Sequence, residues 1–237
     1  MAVSNPPIVV LISANSEWRA VLAYFHEPTL GETPYGGSFQ VNLGNQKVIF
    51  VKSGWGKISA AGSTQYAIQK FHPRLVINLG TCGGIEGRIA VGETVLVNQT
   101  LVYDIYERMG DAAQAVERYA TLLDLSFLHE PYPQAVHRGR MLSADQDLDA
   151  ALVPMLMEKY DAVAVDWESG AIAWIAARNQ TPCLILRGVT DLVSATGGEA
   201  YDNIALFHSR AEWVMNQLVD ALPGWIRCAV DGEPLSS

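Results

Sequence analysis

The chain has 237 residues, a net charge of −9 and 49% hydrophobic residues, enough for one large α/β domain or two small ones. Its longest apolar runs are of strand length, short of the roughly 18 residues of a membrane span, and its acidic balance argues against nucleic acid or anionic membranes as partners. Three scattered cysteines, Cys82, Cys183 and Cys228, make neither a disulfide framework nor a metal spacing.

The opening MAVSNPP has neither a basic flank nor an apolar core, so no signal peptide is expected, and the cysteine usage suits a cytoplasmic setting. Residues 8–12 are fully apolar and predict a first buried strand. A helix over about 17–25 follows, with Trp18, Val21, Leu22 and Phe25 on its apolar face and Ser16 as its cap. Glu17 then stands in the first turn, either as a dipole-favoured carboxylate or as a carboxylate of a crevice. Residues 28–37 read as a turn-rich loop, and runs 39–43 and 48–53 flank Gly44-Asn45 as a hairpin. SGWGK at 53–57 sets two glycines around one aromatic between a strand and a helix, which permits close backbone approach. The helix covers about 58–71.

A strand at 75–79 leads into GTCGG at 80–84, read as a turn able to cradle an anion or a sugar. Cys82 reads as a small buried residue rather than a nucleophile. Residues 91–102 read as a strand pair ending at Tyr103 and Asp104, 111–125 as a helix, and 126–134 as a loop with two prolines. A strand at 135–143 delivers Asp145, Gln146 and Asp147 at its carboxyl end, and 148–160 looks helical with Pro154 near its start or as a break. Residues 162–191 read as strand, helix, strand, with strands at 162–165 and 183–186. Neighbouring strands would bring Glu168 and Asp191 to one crevice, the usual ligand position of an open α/β sheet, while Asp166 is expected to cap. Residues after Asp191 read as a flexible lid, 201–222 as an amphipathic helix and the tail after Pro223 as loosely held. His26, His72, His129, His137 and His208 show no metal-ligand spacing, so no metal is assigned. The unbroken alternation predicts one α/β domain around a largely parallel, mixed sheet.

Five motifs stand in register: SGWGK (53–57), NLGTCGG (78–84), VGET (91–94), VDWESGA (165–171) and RGVTD (187–191). Together they resemble the purine nucleoside phosphorylase and nucleosidase superfamily, most of all its methylthioadenosine/S-adenosylhomocysteine nucleosidase branch, over about 8–222. The resemblance implies a single domain over 1–237 with a three-layer α/β/α fold and a mixed central sheet, a homodimer, no cofactor and no metal. It implies Asp191 as the acid serving the purine N7, Glu168 as the grip on the ribose hydroxyls, and Glu17 as the group that positions and activates water. A register one residue different would put Trp18 in Glu17's place. Trp167 matches a residue, usually Met, that lies against the sugar. Thr81 and Gly83 match the Gly-rich turn near sugar and nucleophile. Leu148 lies where backbone groups hold the base, and Asp147 stands where a stacking aromatic is common.

The resemblance also bears on the nucleophile. The phosphorylase branch carries an arginine two residues before the Gly-rich turn, where this chain has Asn78, and an arginine-bearing Gly-Asp-Pro loop where it has Ser13-Ala14-Asn15-Ser16. Without such donors a phosphate dianion is poorly held, so water is the expected nucleophile. Phosphate-dependent cleavage is the alternative, and nucleoside sensing without turnover is the second. Arg187 is shared across the superfamily and does not discriminate. Tyr103, Tyr106 and Met109 suit either an apolar pocket for a 5′ substituent at a subunit boundary or an ordinary interface.

Overall fold

Five consecutive aliphatic side chains make residues 8–12 a strand buried on both faces. The computed structural model describes residues 5–230. Its elements in chain order are β1 (Ile8–Ile12), α1 (Asn15–Tyr24), β2 (Gly31–Thr33), β3 (Gly36–Leu43), β4 (Gln46–Lys52), α2 (Gly56–Phe71), β5 (Leu75–Ile85) and β6 (Thr94–Val102). They continue with α3 (Ala112–Glu117), β7 (Ala120–Leu122), β8 (His137–Ser143), a 3-10 turn (Ala150–Leu152), α4 (Val153–Tyr160), β9 (Ala162–Asp166), α5 (Ser169–Arg178), β10 (Cys183–Ser194), β11 (Gly197–Gly198) and α6 (Ile204–Val230).

One mixed sheet gathers the strands in the order β11-β10-β6-β8-β9-β5-β1-β4-β3-β2, with β7 beside β6. Because β10 also pairs with β5, the five strands β5, β10, β6, β8 and β9 close on themselves, and β1, β4, β3 and β2 extend outward from β5. Helices α1 and α6 pack together, as do α2 and α5, with α6 also against β10 and α5 against β8. This is the mixed α/β architecture expected, with the Gly44-Asn45 hairpin in place between Leu43 and Gln46.

The local expectations fail at several points, each for a physical reason. GTCGG is no turn: β5 runs through it to Ile85, paired with β10 on one side and β9 on the other. β10 likewise continues past Leu186 to Ser194, so Asp191 lies within the strand rather than beyond it. β9 and β10 are not neighbours, since β5 stands between them. Residues 91–102 give one strand, β6, and 28–37 contain β2 and the start of β3. The helix expected over 111–125 stops at Glu117, capped at its start by Asp111, and Ala120–Leu122 pairs with β6 instead. Pro154 sits in the first turn of α4, where its missing N–H costs nothing. The lid region begins as a hairpin, β10 to β11. The tail is not loose as far as Val230: α6 continues through Pro223 because Leu222, Trp225 and Ile226 are buried. Residues 231–237 lie outside the described part of the chain.

Candidate active site

The pairing of β5 explains where the site lies. Gly83 is opposite Val165 of β9 on one side and Asp191 of β10 on the other. The chain leaving β9 therefore carries Asp166, Trp167 and Glu168 past Thr81 and Cys82, while β10 carries Asp191 along the far side of Gly83. A cavity of about 600 Å³ opens here. Glu17, Thr81, Gly83, Asp147, Leu148, Trp167, Glu168 and Asp191 all line it.

Glu17 reaches the cavity from the first turn of α1, which begins two residues earlier than Ser16 as a cap would require. Ala14 is the residue before the helix, and Glu17 folds back so that its Oε2 accepts from Ala14 N at 2.9 Å. Its Oε1 accepts from Thr81 N at 2.7 Å and Thr81 Oγ1 at 2.9 Å. Trp18, one residue on, turns into the core against Phe39.

Beneath these groups lies a fully buried guanidinium, that of Arg187. Its Nε donates to Ser169 Oγ at 3.0 Å, Nη2 to Asn78 Oδ1 at 2.8 Å and Nη1 to Thr81 O at 3.3 Å. Three carboxylates surround it: Asp166 at 3.0 Å, Glu168 at 3.5 Å and Glu17 at 3.7 Å. This arrangement explains one glycine of the GTCGG run. A Cβ on Gly80 would stand 2.0 Å from Arg187 Nη1. Asp166 does cap, accepting from Ser169 N at 3.2 Å, yet it is also the nearest anion to Arg187.

Glu168 is held from across the chain. Gly56 N, at the start of α2, donates to its Oε1 at 3.1 Å. Gly54 and Gly56 take φ of +80° and +81°, the left-handed region that admits glycine most easily, which is what the two glycines of SGWGK supply. Burial, aided by the charges of Asp166 and Glu17, pushes the Glu168 carboxyl up to about 8, against the pull of Arg187 and Gly56 N. Asp191 is also raised from the ordinary range, chiefly by burial, although it accepts from Thr190 Oγ1 at 2.7 Å. Cys82 is buried, and burial pushes its thiol well up, which fits a packing role.

The rim contains groups that sequence reasoning passed over. Trp55 stacks on Trp167 with ring centres 4.8 Å apart and planes 15° apart, and both line the cavity. Trp55 stands within SGWGK, where the flanking glycines carry the local signal and the ring's partner, Trp167, lies far along the chain. Tyr201 and Phe207 line the opposite rim, and Tyr201 Oη donates to the backbone carbonyl of Leu148. No spacing marks them: Tyr201 lies in the segment leading into α6 and Phe207 in the first turn of that helix. Asp147 is exposed at the mouth. Among the described residues lining the cavity, none is Lys or Arg.

The phosphorylase superfamily model matches residues 8–222. A 5′-methylthioadenosine/S-adenosylhomocysteine nucleosidase of Bacillus thuringiensis subsp. konkukian is 28% identical over 218 residues, covering 85% of this chain and 94% of that protein. One of the same name from Halalkalibacterium halodurans is 25% identical over 200 residues, covering 78% and 83%. Among solved structures, a putative 5′-methylthioadenosine/S-adenosylhomocysteine nucleosidase from Francisella philomiragia aligns with a TM-score of 0.75 at 16% identity, covering 96% of this chain and 100% of that one. The Neisseria meningitidis nucleosidase in complex with methylthio-immucillin-A aligns at 0.73 and 19% identity, covering 94% and 99%. With the same fold in these structures and a family model spanning all but the ends, the chain belongs to the phosphorylase superfamily.

Proposed function

We propose that the protein is a purine nucleosidase that hydrolyses the N-glycosidic bond of a methylthioadenosine- or S-adenosylhomocysteine-like nucleoside. The observation that carries this reading is that Glu17, Glu168 and Asp191 line one cavity in three different environments. Breaking the bond leaves positive charge on the ribose and negative charge on the base. Asp191, its carboxyl raised by burial, donates a proton to the leaving purine at N7. Glu168 accepts hydrogen bonds from the ribose hydroxyls. Glu17, fixed by three donors, takes a proton from the water whose oxygen bonds to the anomeric carbon. The free base and the free sugar leave. The names of the relatives point to the same substrates.

Water is favoured over phosphate because the two guanidiniums that touch cavity-lining residues are already engaged within the protein: Arg187 is fully buried with each terminal nitrogen donating, and Arg210 Nη1 donates to Thr190 O and Glu199 Oε2. A cytoplasmic homodimer completes the proposal. Tyr106 and Met109, 80% and 98% exposed, would then be covered, and sedimentation of the purified chain at twice the monomer mass tests it.

The test is base release from adenosine, inosine, methylthioadenosine and S-adenosylhomocysteine, each with and without phosphate. Release without phosphate is expected, and its 5′ preference names the substrate. Release only with phosphate would make the protein a phosphorylase. Binding without release would make it a sensing module.

A further inference from the structure

Three buried carboxylates share one guanidinium, and the proposed chemistry uses only two of them. The third, Asp166, is the nearest to Arg187 and the most fully engaged. Its Oδ1 accepts from Ser143 Oγ at 2.6 Å, both its oxygens lie 3.2 Å from Ser169 N, and Oδ2 accepts from Ser169 Oγ and stands 3.0 Å from Arg187 Nε. Ser169 Oγ in turn accepts from Arg187 Nε, so one hydroxyl bridges the pair. Asn78 and the Thr81 carbonyl hold the other two nitrogens.

We infer that Asp166 is a positioning residue: it is the fixed counterion that locks the Arg187 guanidinium beneath the cavity and leaves Glu168 and Glu17 to exchange hydrogen bonds and protons with the ligand. The identity of that ligand rests on the function proposed above; the lock itself does not. Burial is the main cause of the upward push on the Glu168 carboxyl, and with Asp166 matched to Arg187 the guanidinium offsets it only in part. The charged and titratable groups around Arg187 are Asp166 of β9, Glu168 beyond it, Glu17 of α1 and Cys82 of β5, and Glu168 also faces the Gly56 N–H at the start of α2.

Asp166→Asn keeps the shape and removes the charge. Arg187 then turns its charge to Glu168, which also loses a repulsive neighbour. In ligand-free protein followed by carboxyl carbon NMR, the Glu168 titration should move to lower pH by about one unit or more. Exchange of the Arg187 Nε–H with solvent should accelerate at least about tenfold, as for loss of a charge-assisted hydrogen bond. In turnover, kcat/KM should fall by about 100-fold and its acidic limb should move the same way. A structural role alone would lower activity evenly at all pH values. An unmoved Glu168 titration in folded Asp166→Asn overturns the inference. If that variant is not recovered folded, Ser169→Ala keeps every charge and removes the bridging hydroxyl, together with its long 3.5 Å contact to Asn78 Oδ1. It should show faster Arg187 exchange with the Glu168 titration in place, and wild-type exchange there overturns the inference as well. A wild-type protein that releases no base sinks the proposed function only, because both NMR readings need no turnover.

Discussion

At Asp191 and Glu168 the decisive quantity is the free energy of holding a charge away from water. Both carboxyls are raised from their ordinary range, and for both the largest cause is burial. Asp191→Asn should lower kcat by about 10²–10⁴-fold, the usual worth of a general acid, with nucleoside binding still measurable by calorimetry. Glu168 also makes a prediction about stability. Its carboxyl binds a proton up to about pH 8 when folded but only to about 4.5 as a free side chain, so the folded state holds the extra proton between those values. The stability it contributes is complete below about pH 4.5 and is lost as the pH rises through about 8. The Tm of the ligand-free protein should therefore fall across that window, and Glu168→Gln should flatten the fall; an equal slope in both proteins would refute the assignment. The open register between Glu17 and Trp18 has a simple geometric outcome. Successive helical residues point about 100° apart, so only one can face the cavity, and Trp18 is the one packed on Phe39.

At the scale of elements, β5 and β10 matter most, and they are where local reading fell short. Apolar runs and the Gly44-Asn45 hairpin are encoded by neighbours in sequence, and they formed as expected. Local pattern makes the GTCGG run a turn because glycine is the commonest turn residue. Two of its three glycines, Gly80 and Gly84, are instead required by side chains outside the run. Gly80 makes room for Arg187, and a Cβ on Gly84 would come within 2.9 Å of Ile89, Val189 and Leu192. That information lies more than 100 residues away for Arg187, beyond any window of local pattern. The site residues named from motifs share one cavity; Trp55 stands inside one of those motifs, whereas nothing local marks Tyr201 and Phe207, whose places depend on how separate segments meet. Gly80→Ala should push the guanidinium out of place, lowering stability by about 1–3 kcal/mol as overpacking does, together with activity. Urea unfolding and base release measure both, and a variant with unchanged stability and rate would show that the strand has slack there.

For the molecule as a whole, the closed ring of β5, β10, β6, β8 and β9 joins segments far apart in sequence, and the cavity is built on the seam between β5 and β10. The site therefore exists only when the ring is closed. Helix α6 seals the assembly from outside: Val214 packs where a Cβ on Gly188 would be, and Gly224 lies against Pro133. His129 N donates to the Cys228 carbonyl, tying the loop before β8 to the last turns of α6. Trp225, fully buried past Pro223, anchors this end. Trp225→Ala should cost about 3–5 kcal/mol in urea unfolding. A loss below about 1 kcal/mol would mean that the end of α6 is dispensable.

The stacked indoles at the cavity rim give this protein a built-in optical gauge. Of its six tryptophans, Trp55 is the most exposed at 68%, and it rests on Trp167 in the cavity lining. Dissolved acrylamide should quench Trp55 emission readily in the empty protein, and an occupied cavity should shield it. Occupancy could then be titrated by light alone, with unlabelled and non-reacting nucleosides, before a single bond is broken.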